Sequence, residues 1–276
     1  MSSILGLVGS KRRLGNCDVL VRSVLSRCAA LGADTEIVYL DGLDISVCRG
    51  CLACAFKGRC VQKDDMHVLL EKMLQAKGLV LAAPTYLFSP SGIIKTVIDR
   101  ALMLSPHLDR VDISRRAVTV SVAGNKLWNP LGIEFLNQLA FAYGFSVVDY
   151  LEAYAPGPAE VTLNEEYLLA AGRLAEVLLN REIPRRQPEE NQCPVCYSRS
   201  FRISAGGRVQ CVFCLTGGNL INGSLEIVAK QDHFWTPEHR KRHLAEWIFV
   251  TRDRFLKNRR AVKEKLAEIT GQEAGR

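Results

Sequence analysis

Ser3-Ile4-Leu5-Gly6-Leu7-Val8-Gly9 passes directly into Ser10-Lys11-Arg12-Arg13-Leu14-Gly15-Asn16 near the start of the chain. The first part is a short apolar run ending on glycine, the pattern of a strand buried on both faces. The second part is polar, basic and glycine-bearing. An amphipathic helix follows it, with Leu20, Val21, Val24, Leu25 and Cys28 on one face. A strand, such a loop and a helix start together make an anion site, because N-terminal backbone N–H groups and the helix dipole both favour negative charge. Lys11 and Arg12 add charge there, and Ser10 and Asn16 add hydrogen bonds. The loop has neither the Gly-Lys-Ser/Thr of a Walker motif nor a GxGxxG fingerprint. By itself it reads as a phosphate cradle or as a basic turn before a helix. Cys28 belongs to the apolar face, and Cys17 packs at the helix start.

Outward from this unit the same alternation repeats. Thr35 to Leu40 reads as a second strand, and Asp64-Asp65 opens a helix to about Lys77, with its acids placed to suit the dipole. Gly78 to Ala83 is a third, fully apolar strand, ending in the loop Pro84-Thr85-Tyr86-Leu87-Phe88-Ser89-Pro90-Ser91-Gly92. A helix is expected from about Ile93 to Leu104. Ala117 to Val122 is the fourth strand, closing on Ala123-Gly124-Asn125-Lys126. A helix near Leu131 to Tyr143 leads to a fifth strand, Phe145 to Tyr150. Asn164 can cap a last helix running to about Asn180. Alternating strands and helices predict an α/β fold, a doubly wound five-stranded parallel sheet. Ligands of such sheets bind at the carboxyl ends of the strands. The loops at Ser10, Tyr86 and Gly124 all fall on that rim.

Between the second strand and its helix lies Cys48-Arg49-Gly50-Cys51-Leu52-Ala53-Cys54-Ala55-Phe56-Lys57-Gly58-Arg59-Cys60. A single loop can fold Cys48, Cys51, Cys54 and Cys60 into a cup, each thiolate meeting one iron of a cubane cluster. A disulfide pair fits poorly, since nothing points to an oxidising compartment. A four-thiolate zinc site usually takes two well-separated Cys-x-x-Cys knuckles. Arg49, Lys57 and Arg59 flank the ligands, as charges that favour the reduced cluster or as solvated loop residues.

With these landmarks in place, residues 1 to about 180 resemble the NAD(P)H-dependent FMN reductase branch of the flavodoxin-like fold. The matching features are Gly-Ser-x-Arg-x-x-Gly-Asn at 9–16, Pro-x-Tyr at 84–86 and Lys-x-x-x-Asp-Arg at 95–100. The cysteine run narrows the likeness to the iron–sulfur flavoproteins of anaerobic microbes. The resemblance implies FMN, with its phosphate at Ser10, Lys11, Arg12, Asn16 and Cys17. It implies Pro84, Thr85, Tyr86 and Leu87 along the flavin ring, and Ala123, Gly124 and Asn125 beside it. It implies a [4Fe–4S] cluster on Cys48, Cys51, Cys54 and Cys60. Cys17 stands where the family often has Thr or Ser, so a hydroxyl contact to the phosphate is lost.

The resemblance stops before the last third. Pro184 to Asn191 reads as a linker, rich in Pro, Arg, Gln and Glu. Cys193-Pro194-Val195-Cys196 and Cys211-Val212-Phe213-Cys214 follow, joined through a Gly206-Gly207 turn, which is the zinc-ribbon pattern. A rubredoxin-type iron site is the rival. Rubredoxins favour Gly after each second Cys, where this chain has Tyr197 and Leu215. Thr236-Pro237 starts a helix well. Ile248, Phe255, Val262 and Ile269 recur every seven residues, making an amphipathic helix or helix pair with a basic outer face. The division expected is 1–183 flavodoxin-like, 184–191 linker, 192–228 zinc ribbon and 229–276 basic helical tail.

Composition agrees with this reading. The 276 residues carry ten cysteines and a formal net charge of +7. No apolar run approaches the roughly 18–20 residues a membrane helix needs. A cytoplasmic protein is expected, with thiols reduced or holding metal. The implied activity is an oxidoreductase that couples FMN and cluster to a carrier such as ferredoxin, with NAD(P)H a possible substrate and a homo-oligomer as the assembly. Two alternatives stand beside it: an NAD(P)H-dependent flavin or quinone reductase without a cluster, and a redox-sensing nucleic-acid binder. The tail lacks the interleaved aromatic platform that single-strand binders use, which disfavours the latter.

Overall fold

Residues 3–112, 114–227 and 233–271 are described by a computed structural model. The strands are β1 (Ser3–Val8), β2 (Asp34–Tyr39), β3 (Gly78–Tyr86), β4 (Ser89–Pro90), β5 (Arg116–Ala123) and β6 (Ser146–Tyr154). The long five form the parallel sheet in the order β2-β1-β3-β5-β6, and β4 folds back antiparallel on the end of β3. Period-two alternation sends successive side chains to two separate cores. Leu5, Leu7, Leu79 and Leu81 face one layer; Ile4, Val8, Val80 and Ala82 face the other. The second layer holds α1 (Asn16–Ala30) and α6 (Glu165–Leu179). The first holds α3 (Met66–Gln75), α4 (Gly92–Asp99) and α5 (Gly132–Ala142). A short α2 (Ala53–Lys57) lies inside the cysteine loop.

Three elements differ in extent from expectation. β3, expected to end at Ala83, runs on through Pro84 and Thr85 to Tyr86, paired with β5 as far as Pro84 opposite Val122 and with β4 beyond it. The helix expected from Ile93 to Leu104 stops at Asp99 and gives way to a 3-10 segment, Ala101–Arg110. Pro106 lies inside that segment, and proline removes a donor and disfavours α geometry just before it. The fifth parallel strand runs on to Tyr154, because pairing with β5 continues to Ala123 opposite Tyr154. Asn164 caps α6 as expected, accepting from the Glu166 N–H at 2.9 Å.

The last third forms a four-stranded antiparallel sheet in the order β10-β9-β8-β7. Its strands are β7 (Phe201–Ile203), β8 (Arg208–Cys211), β9 (Gly217–Ile221) and β10 (Ser224–Ile227). Gly206 and Gly207, at φ 75° and 74°, make the turn between β7 and β8. The ribbon packs on α5. Cys193, Cys196, Cys211, Cys214 and Tyr197 join the same core as Ile133 and Leu136. Asn137 donates to the Cys196 carbonyl at 2.9 Å, and the Phe135 and Phe213 rings meet edge-on at 5.5 Å. Within 184–191, the Arg186 N–H donates to the Val148 carbonyl at 2.8 Å and the Arg185 guanidinium to the Tyr197 hydroxyl at 2.9 Å.

Thr236 caps α7 (Pro237–His243) by accepting from the His239 N–H at 3.2 Å. A π-helical stretch, Leu244–Phe249, carries the chain into α8 (Val250–Thr270). No residue of α8 is buried, and Phe255, Val262 and Ile269 of its apolar stripe are exposed. Among the described residues the tail meets the cysteine loop at Phe56: the Phe249 ring lies against it in a tilted contact at 5.4 Å, and the Arg252 guanidinium lies 4.5 Å from the same ring. Among the described residues, no helix is long and apolar enough to cross a membrane.

Candidate functional site

The carboxyl ends of β1, β3, β5 and β6 enclose a cavity of about 270 Å³. It is lined by Ser10, Arg12, Asn16, Cys17, Pro84, Thr85, Tyr86, Ala123 and Gly124, all expected from sequence. Three expected residues lie outside it. Lys11 faces a neighbouring cavity of about 490 Å³. Leu87 projects into solvent, 83% exposed, from a left-handed backbone at φ 45°. Asn125 turns its side chain back to accept from the Leu127 N–H at 2.8 Å. Ala155, Pro156 and Pro158 complete the wall and were not foreseen. The Pro156-Gly157-Pro158 turn was the available signal, since it follows the last strand on the same rim.

The loop after β1 is shaped by local acceptors. Ser10 Oγ accepts from the Arg12 N–H at 3.2 Å. Asp18, fully buried, accepts from the Leu14 N–H at 2.7 Å, the Tyr39 hydroxyl at 2.8 Å and the Arg22 guanidinium at 2.8 Å. Its charge is thereby neutralised away from the cavity. Arg13 is committed elsewhere, stacked on Tyr39 at 3.4 Å and paired with Asp41. Arg12 is thus the guanidinium of this loop that lines the cavity. Asn16 lines it too, but its side chain is a clamp. Nδ2 donates to the Ala155 and Gly157 carbonyls at 2.9 Å each, and Oδ1 accepts from the Val161 N–H at 3.2 Å. Cys17 sits on the floor, and burial pushes its thiol up to about 12. Among cavity residues it is therefore an inert thiol.

The opposite wall is held by a buried polar network. Thr85 donates to Asn129 Oδ1 at 2.6 Å, Ser121 donates to the same oxygen at 2.8 Å, and Asn129 Nδ2 reaches Glu152 at 3.1 Å. Gly132 is required beneath it: a Cβ there would come within 2.1 Å of both Asn129 Oδ1 and Ser121 Oγ. Beyond Asn129 a third cavity, about 610 Å³, lies between β6, α5 and the ribbon. Glu134 lines it, accepting from the Arg199 N–H at 3.2 Å, and burial pushes its carboxyl up to about 7.

The eight metal-ligand candidates divide into two unlike groups. Cys193, Cys196, Cys211 and Cys214 are buried, with all four sulfurs within 4.8 Å of one another. Among the described residues this is the group of His, Cys, Asp or Glu close enough to grip a single ion. Four soft thiolates out of water need a cation between them, so the donor set fits metal binding by four cysteines. Tyr197 and Leu215 take left-handed φ of 60° and 62°. The knuckles keep the backbone that glycine favours, so the residue found there does not distinguish the metal. Cys48 and Cys51 are exposed and Cys54 and Cys60 half-buried, on a loop whose sulfurs do not close up to a single-ion distance. Four thiols gathered on one loop are a donor set of the kind that a cluster of several irons takes. Burial pushes the Cys54 thiol up. Arg49, Lys57 and Arg59 are exposed. The cation that reaches a sulfur of this loop is Arg100, a residue sequence marked only as a landmark: its Nη2 lies 3.4 Å from Cys60 Sγ.

Residues 2–126 match the family model described as NADPH-dependent FMN reductase. An iron-sulfur flavoprotein of Archaeoglobus fulgidus is 30% identical over 173 residues, 62% of this chain and 76% of that protein. An iron-sulfur flavoprotein of Methanosarcina thermophila is 33% identical over 101 residues, 37% of this chain and 53% of that protein. The chain spans about half the length of several such relatives. The solved structure of a flavone reductase shares the fold at a TM-score of 0.75 with 20% identity, covering 99% of both chains. That likeness extends the common fold through the ribbon and the tail.

Proposed function

The chain belongs to the iron–sulfur flavoprotein family, and from that premise we propose an FMN- and [4Fe–4S]-containing oxidoreductase that moves electrons between a two-electron donor or acceptor and a one-electron carrier such as ferredoxin. One observation carries the reading. The cavity after β1, β3, β5 and β6 and the cysteine loop after β2 lie at the same end of a parallel sheet, and a second cavity that shares Arg12 and Tyr86 extends to Leu40, Asp41 and Leu43, the residues that lead from β2 toward that loop. When bound, FMN supplies two-electron chemistry and the cluster one-electron chemistry. The chain supplies position, charge and shelter from water.

Arg12 and Ser10, with the N–H groups opening α1, hold the phosphate. Lys11 adds charge from the adjoining cavity. Asn16 and Cys17 shape the cradle. Pro84, Thr85 and Tyr86 would line one side of the flavin ring and Ala123 and Gly124 the other, with Leu87 and Asn125 outside the cavity. If NAD(P)H is the donor, its nicotinamide would meet the flavin at this same cavity, since the sequence carries no second nucleotide fingerprint. Cys48, Cys51, Cys54 and Cys60 hold the cluster. Cys193, Cys196, Cys211 and Cys214 hold zinc, which is redox-silent and ties the ribbon to α5. The working division remains 1–183, 184–191, 192–228 and 229–276. The basic face of α8 meets an acidic carrier, because complementary charge raises encounter rates. Its apolar stripe takes a second copy of the chain.

An anaerobic absorption spectrum tests the cofactor reading: a broad visible shoulder beyond the flavin bands, bleached by dithionite, is expected. A spectrum of flavin alone would leave a plain flavin reductase. For the docking face, reversing Arg254, Lys257 and Arg259 to Glu should slow reduction by ferredoxin and flatten its salt dependence, while reduction by a small dye stays unchanged. Full speed with ferredoxin in that variant removes the docking role.

A further inference from the structure

Arg100 stands at the end of α4, and its side chain and that of Asp64, which it faces, are each 1% exposed. Its Nη1 donates to Asp64 Oδ2 at 2.5 Å and to the Ser46 carbonyl at 2.8 Å. Its Nη2 donates to Asp64 Oδ1 at 3.0 Å and lies 3.4 Å from Cys60 Sγ and 3.5 Å from Met103 Sδ. Asp64 in turn accepts from the Ser46 N–H at 3.1 Å and the Met66 N–H at 3.3 Å. Ser46 and Asp64 bracket the cysteine run, so this pair closes the neck of the loop that carries all four thiols.

Closing a neck does not require charge. A buried ion pair is weak support for stability, and apolar side chains of similar volume usually serve as well or better. What an apolar pair lacks is an N–H aimed at a sulfur. Asp64 occupies one edge of the guanidinium fork and fixes its plane, which leaves the other Nη2 N–H facing two sulfurs, Cys60 Sγ and the Met103 thioether, of which a ligand thiolate is the stronger acceptor. Asp64 also cancels most of the long-range field of the cation, so what survives at Cys60 is short-ranged and directional. Hydrogen bonds to ligand sulfurs favour the more negative, reduced state of a cluster. The other flanking cations, Arg49, Lys57 and Arg59, are exposed and screened by water.

We propose that Arg100, oriented by Asp64, sets the reduction potential of the cluster through its N–H to Cys60 Sγ. The inference rests on the cluster reading above. Its test is an EPR-monitored redox titration of the anaerobically prepared full-length protein. Arg100→Met with Asp64→Asn keeps the net charge and removes the sulfur's donor. The equilibrium should move about tenfold toward the oxidised cluster, a fall of about 59 mV for a one-electron couple. Arg100→Lys keeps the charge without the fork and should fall less, and the FMN potential should not move in either. Asp64→Asn alone strips the counter-charge and should raise the cluster potential, a sign that a merely structural neck would not produce. Should the double variant fail to assemble, Arg100→Lys and Asp64→Asn decide the matter. An unchanged cluster potential in the variants that carry full iron overturns the proposal. Wild-type protein without a cluster signal would instead overturn the reading beneath it.

Discussion

The two four-cysteine regions of this chain are built to opposite plans. The ribbon sulfurs are buried, within 4.8 Å of each other, and belong to the core that also holds Ile133 and Leu136 of α5. The central cysteines sit on an open loop, half-buried at most, with a closed neck and little core of their own. On the proposed reading the buried set fastens the ribbon to α5, while the open set, on the loop after β2, presents its cargo to partners. One residue type would then serve structural and redox work according to where the fold places it.

The largest effect expected follows directly. Cys196→Ser or Cys211→Ser should unfold the ribbon and strip α5 of its cover, since structural zinc sites contribute about 10–16 kcal/mol in small peptides. Cys51→Ala or Cys54→Ala should leave the melting temperature within a few degrees of wild type. Equal losses of thermal stability in both sets would erase the contrast.

The next effect concerns the seam between ribbon and α5. Glu134 in the folded chain keeps its proton up to about pH 7, against about 4.5 when exposed. Between those values the native state holds a proton that the unfolded chain has released, so stability falls as pH rises across that window. The upper bound is on the order of 3 kcal/mol at 1.36 kcal/mol per pH unit. Urea midpoints at pH 5 and pH 8 should converge in Glu134→Gln relative to wild type. An identical pH slope in the variant would show that the seam carries no such group.

Smaller effects sharpen the rim. Arg12→Ala should weaken FMN by about 1.5–3 kcal/mol while barely changing riboflavin, since a charged hydrogen bond to phosphate is lost. Asn16→Ala should weaken both flavins alike, because its amide clamps Ala155, Gly157 and Val161. Titration by flavin fluorescence separates these outcomes, and a phosphate-selective defect in Asn16→Ala would return that side chain to the ligand. Thr236→Ala should loosen the tail by about 1 kcal/mol through loss of a helix cap. Helix loss confined to the tail, followed by hydrogen exchange, is the expected readout.

Much of this was legible in one dimension. Short, continuously apolar runs alternating with helices marked the five parallel strands, and the segments that follow Gly9, Ala83 and Ala123 supplied most of the cavity lining. The knuckle spacing marked the ribbon. What stayed hidden depends on distant partners. Asn16 reads as a loop donor until the segment at 155–161, some 140 positions on, takes up its amide. Arg100 reads as a helix-end residue until the cysteine loop folds over it. The extra length of the last parallel strand follows from pairing, not from its own pattern. That Pro184 to Asn191 hydrogen-bonds along the sheet edge could not be read from a composition rich in Pro and charge.

Metal, sulfide and flavin analysis of anaerobically purified wild type and Cys51→Ala tests the contrast most directly. Wild type should contain iron with an equal amount of acid-labile sulfide, together with zinc and FMN. Cys51→Ala should lose iron and sulfide together and retain zinc and FMN in full. Iron that survives in the variant, or wild-type protein whose only metal is zinc, would contradict the assignment of two different cargoes to the two cysteine sets.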